Sequence, residues 1–135
     1  MANIKLPAKV ESIDELTAFV DEQLEALDCP MKVQMQIDIA IDEIFSNIAF
    51  YAYEGKEGEA IVDVDKLEEG YGISLTFTDE GVPYNPLEKD DPDTTLSAEE
   101  RKIGGLGIFM VKKTMTDMKY EYKDGKNILT VTKVF

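Results

Sequence analysis

The chain has 135 residues, the size of one ordinary domain, and 44% of them are hydrophobic, enough to form a core. Its 28 acidic and 14 basic residues give a formal charge of −14, which argues against binding to nucleic acid or to an anionic membrane. With no histidine and one cysteine, the sequence excludes histidine–metal sites, histidine-based catalysis and an internal disulfide. No stretch has the roughly 20 apolar residues of a membrane span, and the N-terminal residues lack the apolar centre of a signal peptide. We therefore expect an acidic, cytoplasmic single domain over residues 1–135.

The first third of the chain predicts a strand followed by two helices. Alternating apolar residues that stop at Pro7 are typical of a short strand. Ser12 and Glu15 have the spacing of a capping box, so we expect a helix from there to about Leu27. A second helix is predicted over residues 32–53, because apolar residues recur on one helical face: Val33, Ile37, Ile41, Ile44 and Ile48.

The middle of the chain predicts two strands and then a long loop. Residues 61–65 and 71–78 have strand patterns, and a hairpin turn is expected at Glu69-Gly70 between them. Three prolines and an acidic run prevent regular structure between residues 79 and 104. A loop this long in a compact domain is typically a lid or a disordered segment. We expect a lid at about residues 86–103.

The last part of the chain predicts a helix and a hairpin. Four apolar residues have the spacing of a third helix: Ile108, Val111, Met115 and Met118. Strands at residues 119–123 and 128–135 are joined across Asp124-Gly125, a strong hairpin signal. Hairpin-linked strands with helices inserted predict an α+β fold. We expect a two-layer sandwich in which a mostly antiparallel mixed sheet is covered on one face by helices.

Glu43 and Asn47 lie one turn apart on the second predicted helix, beside its apolar face. A carboxylate can accept a proton from an attacking hydroxyl, and an amide oxygen can ligate Mg²⁺. The alternative is an ordinary polar helix face with one hydrogen bond between the two side chains. Taken alone, this spacing favours that alternative.

Asp79 and Gly81 follow the clearest strand of the sequence. A carboxylate at a strand end can lie over a pocket and accept a hydrogen bond from an exocyclic amine, and Gly81 would let the backbone approach a flat base. The alternative is a simple turn, since Asp-x-Gly is common in loops.

Gly104, Gly105 and Gly107 lie between the long loop and the third helix. Glycines allow backbone N–H groups to converge on a phosphate, and the N-terminus of a helix adds a favourable dipole. The motif is neither a Walker loop nor a Rossmann fingerprint. A local basic cluster also favours an anionic ligand here: Arg101, Lys102, Lys112 and Lys113. The alternative is a flexible hinge beside solvated lysines.

Together, the three motifs and their order are far more specific than each alone. They are Glu43-x-x-x-Asn47 on a helix, Asp79-x-Gly81 after a strand and, beyond a lid, Gly105-x-Gly107 opening a helix. This set resembles the Bergerat ATP-binding fold of the GHKL superfamily, which includes gyrase and the sensor histidine kinases. The length and the segments IDEIFSNIAFYAY and GGLGIFMVKKTMTDMKY are similar to the anti-sigma-factor serine kinases. The resemblance covers nearly the whole chain, from Ile4 to Phe135.

The resemblance implies a role for each residue of the first two motifs. Glu43 would be the general base and Asn47 the Mg²⁺ ligand. Asp79 would accept a hydrogen bond from the adenine amino group, and Gly81 would shape the adenine pocket.

The glycine motif would bind the phosphates of ATP under the lid. By resemblance, Gly105 and Gly107 would contact the phosphates, together with Gly104 beside them. The family also carries an arginine next to this motif, and the nearest arginine here is Arg101. With ATP bound, we expect Arg101 or Lys102 to swing toward the γ-phosphate in place of that arginine.

The function implied by the resemblance is that of an ATP- and Mg²⁺-dependent protein serine/threonine kinase that acts as an anti-sigma factor in transcription regulation. Its partners would be a small antagonist protein, phosphorylated on serine, and a sigma factor, and the chain would form a homodimer. One alternative is a nucleotide-gated binding module without phosphotransfer. Another is a slow ATPase without a protein substrate.

Overall fold

The computed structural model of the chain describes residues 2–67, 72–88 and 105–135. Its helices and strands, in chain order, are β1 (Ala2–Pro7), α1 (Ile13–Ala26), α2 (Met31–Asn47), β2 (Glu59–Lys66), β3 (Gly72–Asp79), α3 (Gly105–Thr114), β4 (Asp117–Lys123) and β5 (Lys126–Val134). A π-helical turn, Ile48–Ala52, continues α2. The predicted turn at Glu69-Gly70 and residues 89–103 of the predicted lid lie outside the described residues.

The strands form one five-stranded sheet in the order β1-β2-β3-β5-β4. Each of the four described pairings is antiparallel. The predicted α+β architecture is therefore confirmed, and the described sheet is antiparallel throughout. β3 lies at its centre, so the end of β3 is flanked by β2 on one side and β5 on the other.

The core lies between one face of the sheet and the helices. Alternate strand residues and one stripe of each long helix are buried there: Val62, Val64, Ile73, Leu75, Phe77, Leu129 and Val131 from the sheet, Leu16, Val20 and Leu24 from α1, and Ile37, Ile41 and Phe45 from α2. Burying one such side chain stabilises the fold by about 1.5–3 kcal/mol. The opposite face of the sheet carries half-buried hydroxyls, such as those of Thr76 and Thr130, which hydrogen-bond at 3.3 Å. Within the described residues, no helix has the length and apolarity needed to cross a membrane.

The capping box predicted at Ser12 is wrong. The Ser12 side chain makes no capping hydrogen bond, and its backbone is already helical at φ −79° and ψ −12°. The reason is a short 3-10 turn, Val10–Ser12, that leads directly into α1. The Ser12 N–H donates instead to the carbonyl of Lys9 at 3.0 Å.

The end predicted for the third helix is also wrong. The helix α3 ends at Thr114, and Met118 belongs to β4. The chain leaves the helix because pairing with β5 begins there, where the Thr116 N–H donates to the Thr132 carbonyl at 2.8 Å. Met118 fits both the helical spacing of α3 and the alternation of β4, so the sequence pattern did not show where α3 ends and β4 begins.

Candidate functional site

A cavity lies between the C-terminal half of α2, its π-helical continuation, α3 and the inward face of the sheet. Its walls are mainly apolar: Ile44, Ile48, Ala52, Phe77, Val82, Pro86, Ile108 and Leu129. Its polar lining consists of three tyrosines and three amide or carboxylate side chains: Tyr51, Tyr84, Tyr120, Asn47, Asp79 and Asn127. Apolar walls with a few convergent polar groups are typical of small-molecule sites.

Asp79 reaches this cavity because of the alternation along β3. The inward positions of β3 are the buried Ile73, Leu75 and Phe77, and Asp79 is the next position on the same face. Its side chain is 5% exposed. The central strand therefore ends by placing a carboxylate inside the fold, where a polar group must be hydrogen-bonded.

Among the described residues, two hydrogen bonds hold the Asp79 carboxylate, and both reach the same oxygen. The Gly81 N–H donates to Asp79 Oδ1 at 2.9 Å, and Asn127 Nδ2 donates to it at 2.9 Å. A carboxylate accepts hydrogen bonds only. It can therefore accept a further hydrogen bond from an amine at its other oxygen, which suits the predicted adenine contact.

Gly81 is required here by the close approach of the π-helical turn. A Cβ at Gly81 would overlap the carbonyl group of Ala52 and come within 2.6 Å of the Ala52 Cβ. The next residue, Val82, donates its N–H to the Ala52 carbonyl at 2.8 Å. A glycine is therefore needed at position 81 because the loop after β3 packs directly against the backbone of the π-helical turn at Ala52.

Tyr53 ties the end of the π-helical turn to the rim of the sheet. Its hydroxyl donates to the Glu59 carbonyl at 2.5 Å and accepts from the Glu80 N–H at 2.9 Å. Burial raises the pKa of Tyr53, so the hydroxyl keeps its proton for this bond. The segment next to Asp79 is therefore fixed from the helix side as well.

Asn127 is a site residue that was not predicted from the sequence, because the last strand was predicted to begin at residue 128. It lies directly opposite Asp79 in the pairing of β3 with β5 and is 6% exposed. Directly opposite residues of an antiparallel pair have neighbouring side chains on one face of the sheet. A polar residue at the start of the inward series Asn127, Leu129, Val131 was the available signal.

Glu43 and Asn47 lie on α2 as predicted, but they occupy different surroundings. Asn47 lines the cavity, and its Nδ2 is buried without a hydrogen-bond partner among the described residues. The alternative of a hydrogen bond from this amide to Glu43 is therefore not formed. Since burying an unpaired N–H donor is costly, this nitrogen suits a ligand that offers a hydrogen-bond acceptor. The oxygen of the same amide is of the type that Mg²⁺ prefers.

Gly107 brings the glycine motif against Glu43. A Cβ at Gly107 would overlap the Glu43 carboxylate. The two residues are thus in direct proximity across the packing of α2 against α3. Ile108, the next residue, lines the cavity. The Glu43 carboxylate therefore lies beside the start of α3, one turn of α2 before Asn47.

Gly105 is the first residue of α3, which places the glycine motif at a helix N-terminus as predicted. Gly104 and Arg101 lie outside the described residues. The predicted basic cluster is wrong for Lys112 and Lys113, which occupy the last turn of α3. They are about 10–12 Å along the helix from Gly105, because an α-helix rises about 1.5 Å per residue.

Asp79 and Asn47 therefore line the cavity, and Gly81 holds Asp79 there, while Glu43 and Gly107 meet at its α2–α3 border. This α+β fold with a carboxylate at the end of its central strand is that of a histidine kinase-like ATPase domain. Residues 6–133 match this family, and the chain belongs to it. The match confirms the family resemblance that the motifs predicted.

Several relatives within this family are serine kinases or anti-sigma factors by name. The chain is 28% identical to the serine-protein kinase RsbW of Listeria monocytogenes over 138 residues, which cover 93% of this chain and 82% of the relative. It is 26% identical to the serine/threonine-protein kinase BtrW of Bordetella bronchiseptica, over 75% of this chain and 70% of the relative. It is 23% identical to the anti-sigma F factor of Clostridium acetobutylicum, over 96% and 90%.

Proposed function

We propose that this chain is an ATP- and Mg²⁺-dependent protein serine kinase of the anti-sigma-factor type. The observation that carries the proposal is the buried Asp79 carboxylate in the lining of an apolar cavity whose helical wall presents Asn47. The names of its relatives, kinase and anti-sigma factor, support the same function.

In this proposal the cavity binds the adenine ring. Asp79 accepts a hydrogen bond from the exocyclic amine, whereas the carbonyl at the corresponding position of guanine would meet a second acceptor. The apolar walls cover the faces of the ring. The N–H groups at the start of α3 near Gly105 and Gly107 bind phosphate oxygens, which the helix dipole favours.

Asn47 and Glu43 carry the transfer step in this proposal. Asn47 holds Mg²⁺, which when bound neutralises charge on the phosphates. Glu43 orients the serine hydroxyl of the substrate protein and accepts its proton. Arg101, Gly104 and a lid over residues 86–103 complete the phosphate site in this proposal, within a single domain of residues 1–135.

The partners in this proposal are a small antagonist protein that is phosphorylated on serine and a sigma factor that is sequestered, with the kinase acting as a homodimer. A formal charge of −14 favours partners with basic docking faces, because complementary charge speeds association.

The proposal is tested by separating nucleotide binding from transfer. Mg-ATP should raise the melting temperature of the wild type, since a ligand at 100 times its Kd stabilises the fold by about 2.7 kcal/mol. GTP should raise it less. With ATP labelled in the γ-phosphate and candidate serine-bearing antagonist proteins, Glu43→Ala should bind ATP normally and transfer about 10²–10⁴-fold more slowly.

Asp42→Ala is the matched control, because Asp42 is an exposed carboxylate next to Glu43 on the same helix. It should transfer at the wild-type rate. Equal stabilisation by GTP and ATP would contradict the adenine site. Nucleotide binding without transfer to any antagonist would favour the nucleotide-gated binding module instead.

A further inference from the structure

Asn127 uses its complete hydrogen-bonding capacity inside the protein. Its Nδ2 donates to Asp79 Oδ1 at 2.9 Å and to the Val82 carbonyl at 2.8 Å. Its Oδ1 accepts from the Tyr84 N–H at 3.1 Å and from the Tyr120 hydroxyl. A carboxamide offers two donors and two acceptor positions, so all four are occupied.

The backbone groups fix which way this amide points. The Val82 carbonyl can only accept and the Tyr84 N–H can only donate, so a flipped amide would place like groups together. The Tyr120 hydroxyl holds the same orientation from β4 and also accepts weakly from the Tyr84 N–H at 3.3 Å. Asn127 therefore presents its donor, and not its oxygen, to Asp79.

We propose that Asn127 is the positioning residue for base recognition: its amide holds Asp79 Oδ1, which leaves Oδ2 of that carboxylate to select an adenine amine over a guanine carbonyl. Asn127 acts through Asp79, because its own donors and acceptors are already occupied. This inference rests on the proposed function, since it specifies how the adenine site of that function discriminates.

The same amide also positions one wall of the cavity. By holding Val82 and Tyr84, it fixes the loop that follows β3, and the Tyr84 ring lies nearly parallel to that of Tyr51, at an angle of 6° and a distance of 6.3 Å. A loss of the amide donors should therefore loosen both the carboxylate that contacts the base edge and the loop beside it.

Asn127→Asp tests the inference because it keeps the shape of the side chain and replaces the donor by an oxygen. At pH 8 the new carboxylate should repel Asp79, and the ratio of the Kd values for GTP and ATP should fall at least about tenfold, the worth of one charge-assisted hydrogen bond. Lowering the pH should restore part of the ratio, because a protonated carboxyl again donates. A purely structural role would lower the melting temperature without a pH-dependent change in base preference.

Asn3→Asp is the matched control, since Asn3 is an exposed residue of β1 and the substitution adds the same charge. It should keep the wild-type ratio at every pH. Tyr120→Phe is the milder variant if Asn127→Asp does not fold; it removes one anchor of the amide and should lower the ratio about threefold.

The outcomes separate the two proposals. A wild type that binds ATP and GTP equally, or neither, would overturn the proposed function and this inference with it. A wild type that prefers ATP, with an unchanged ratio in Asn127→Asp, or in Tyr120→Phe where only that variant folds, would overturn the inference alone.

Discussion

The cavity has two ends that are built differently. At the Asp79 end, formed by Asp79, Gly81 and Asn127, the buried polar groups hold one another through hydrogen bonds of 2.9 Å. The Glu43 end is the α2–α3 border of the cavity, where Glu43 meets Gly107. One turn along α2, Asn47 lines the cavity, and its buried Nδ2 has no partner among the described residues. One end is complete without a ligand, and the other contains a polar group that a ligand would satisfy.

The difference indicates how recognition and transfer are divided. Selecting a base needs a carboxylate held in one position, and a satisfied network supplies that before any ligand arrives. A buried amide nitrogen without a partner costs about 1–3 kcal/mol, and such costs persist where function requires them. We therefore expect substitutions at the Asp79 end to act on stability and base preference, and those at the Glu43 end to act on transfer.

Gly107→Ala should give the largest effect and tests this division directly. The new Cβ would overlap the Glu43 carboxylate, which is the far end of a flexible side chain and can move away. Phosphotransfer should then fall by about 10²-fold, because a displacement of about 1 Å at a reacting group costs that much. Stability should change little, since alanine is the better helix former by about 1 kcal/mol and offsets the crowding.

The measurements for Gly107→Ala are the transfer rate to an antagonist protein and the melting temperature. Met110→Ala serves as the control, because Met110 is an exposed residue of the same helix, 47% accessible. A melting temperature that falls by many degrees would mean that Glu43 cannot move, and the Glu43 end would then be as rigid as the Asp79 end.

Gly81→Ala is the counterpart at the Asp79 end. Here the new Cβ would overlap the Ala52 carbonyl, a backbone group that cannot turn aside. Overpacking of this kind costs about 1–3 kcal/mol, and the hydrogen bond from Val82 to Ala52 would be strained as well. Thermal unfolding without nucleotide should show the loss, whereas Glu80→Ala, an exposed neighbour, should not. An unchanged melting temperature in Gly81→Ala would contradict the claim that the Asp79 end is rigid.

The parts of the site that were predicted from the sequence depend on local periodicity. The strand pattern of residues 71–78 predicted that Asp79 lies at a strand end, and a spacing of four placed Asn47 one turn after Glu43 on α2. Each of these positions follows from the geometry of a single element. A pattern within one segment is therefore enough to predict them.

The parts that were missed depend on pairing between distant segments. Asn127 meets Asp79 only because β5 pairs with β3 in one register, and the two residues are 48 positions apart. The Asp124-Gly125 turn predicts the register of β4 with β5, but carries no information about β3. The misplaced Lys112 and Lys113 are a different case, because the predicted helix start at Gly105 already puts them about two turns along α3.

The smallest expected effect comes from Asp38, which lies on α2 outside both ends of the cavity. One oxygen each of Asp38 and Asp21 is buried without a hydrogen-bond partner among the described residues. Burial, then a hydrogen bond from Asp21 and its charge, raise the pKa of Asp38 from 3.8 to about 7. Burial and the two carboxylates likewise raise the pKa of Cys29, in the turn between α1 and α2. The Asp38–Asp21 pair is therefore more stable when it shares one proton than when both carboxylates are ionised.

The raised pKa fixes the sign of the pH dependence. Between about pH 4 and pH 7 the folded state holds a proton on Asp38 that the unfolded state has lost, so this contribution to stability is present at low pH and is lost as the pH rises through 7. Asp38→Asn keeps a neutral, hydrogen-bonding side chain at every pH. Relative to the wild type, it should therefore gain stability from pH 5 to pH 8, by about 1 kcal/mol after solvent screening of a partly exposed group.

That gain corresponds to roughly 3–5 °C in melting temperature for a domain of this size. Asp42→Asn, an exposed carboxylate on the same helix, is the control and should show a difference from the wild type that does not vary over this pH range. A constant difference for Asp38→Asn would refute the shared proton. A change in the preference for ATP over GTP in this variant would show that the N-terminal half of α2 is coupled to Asp79.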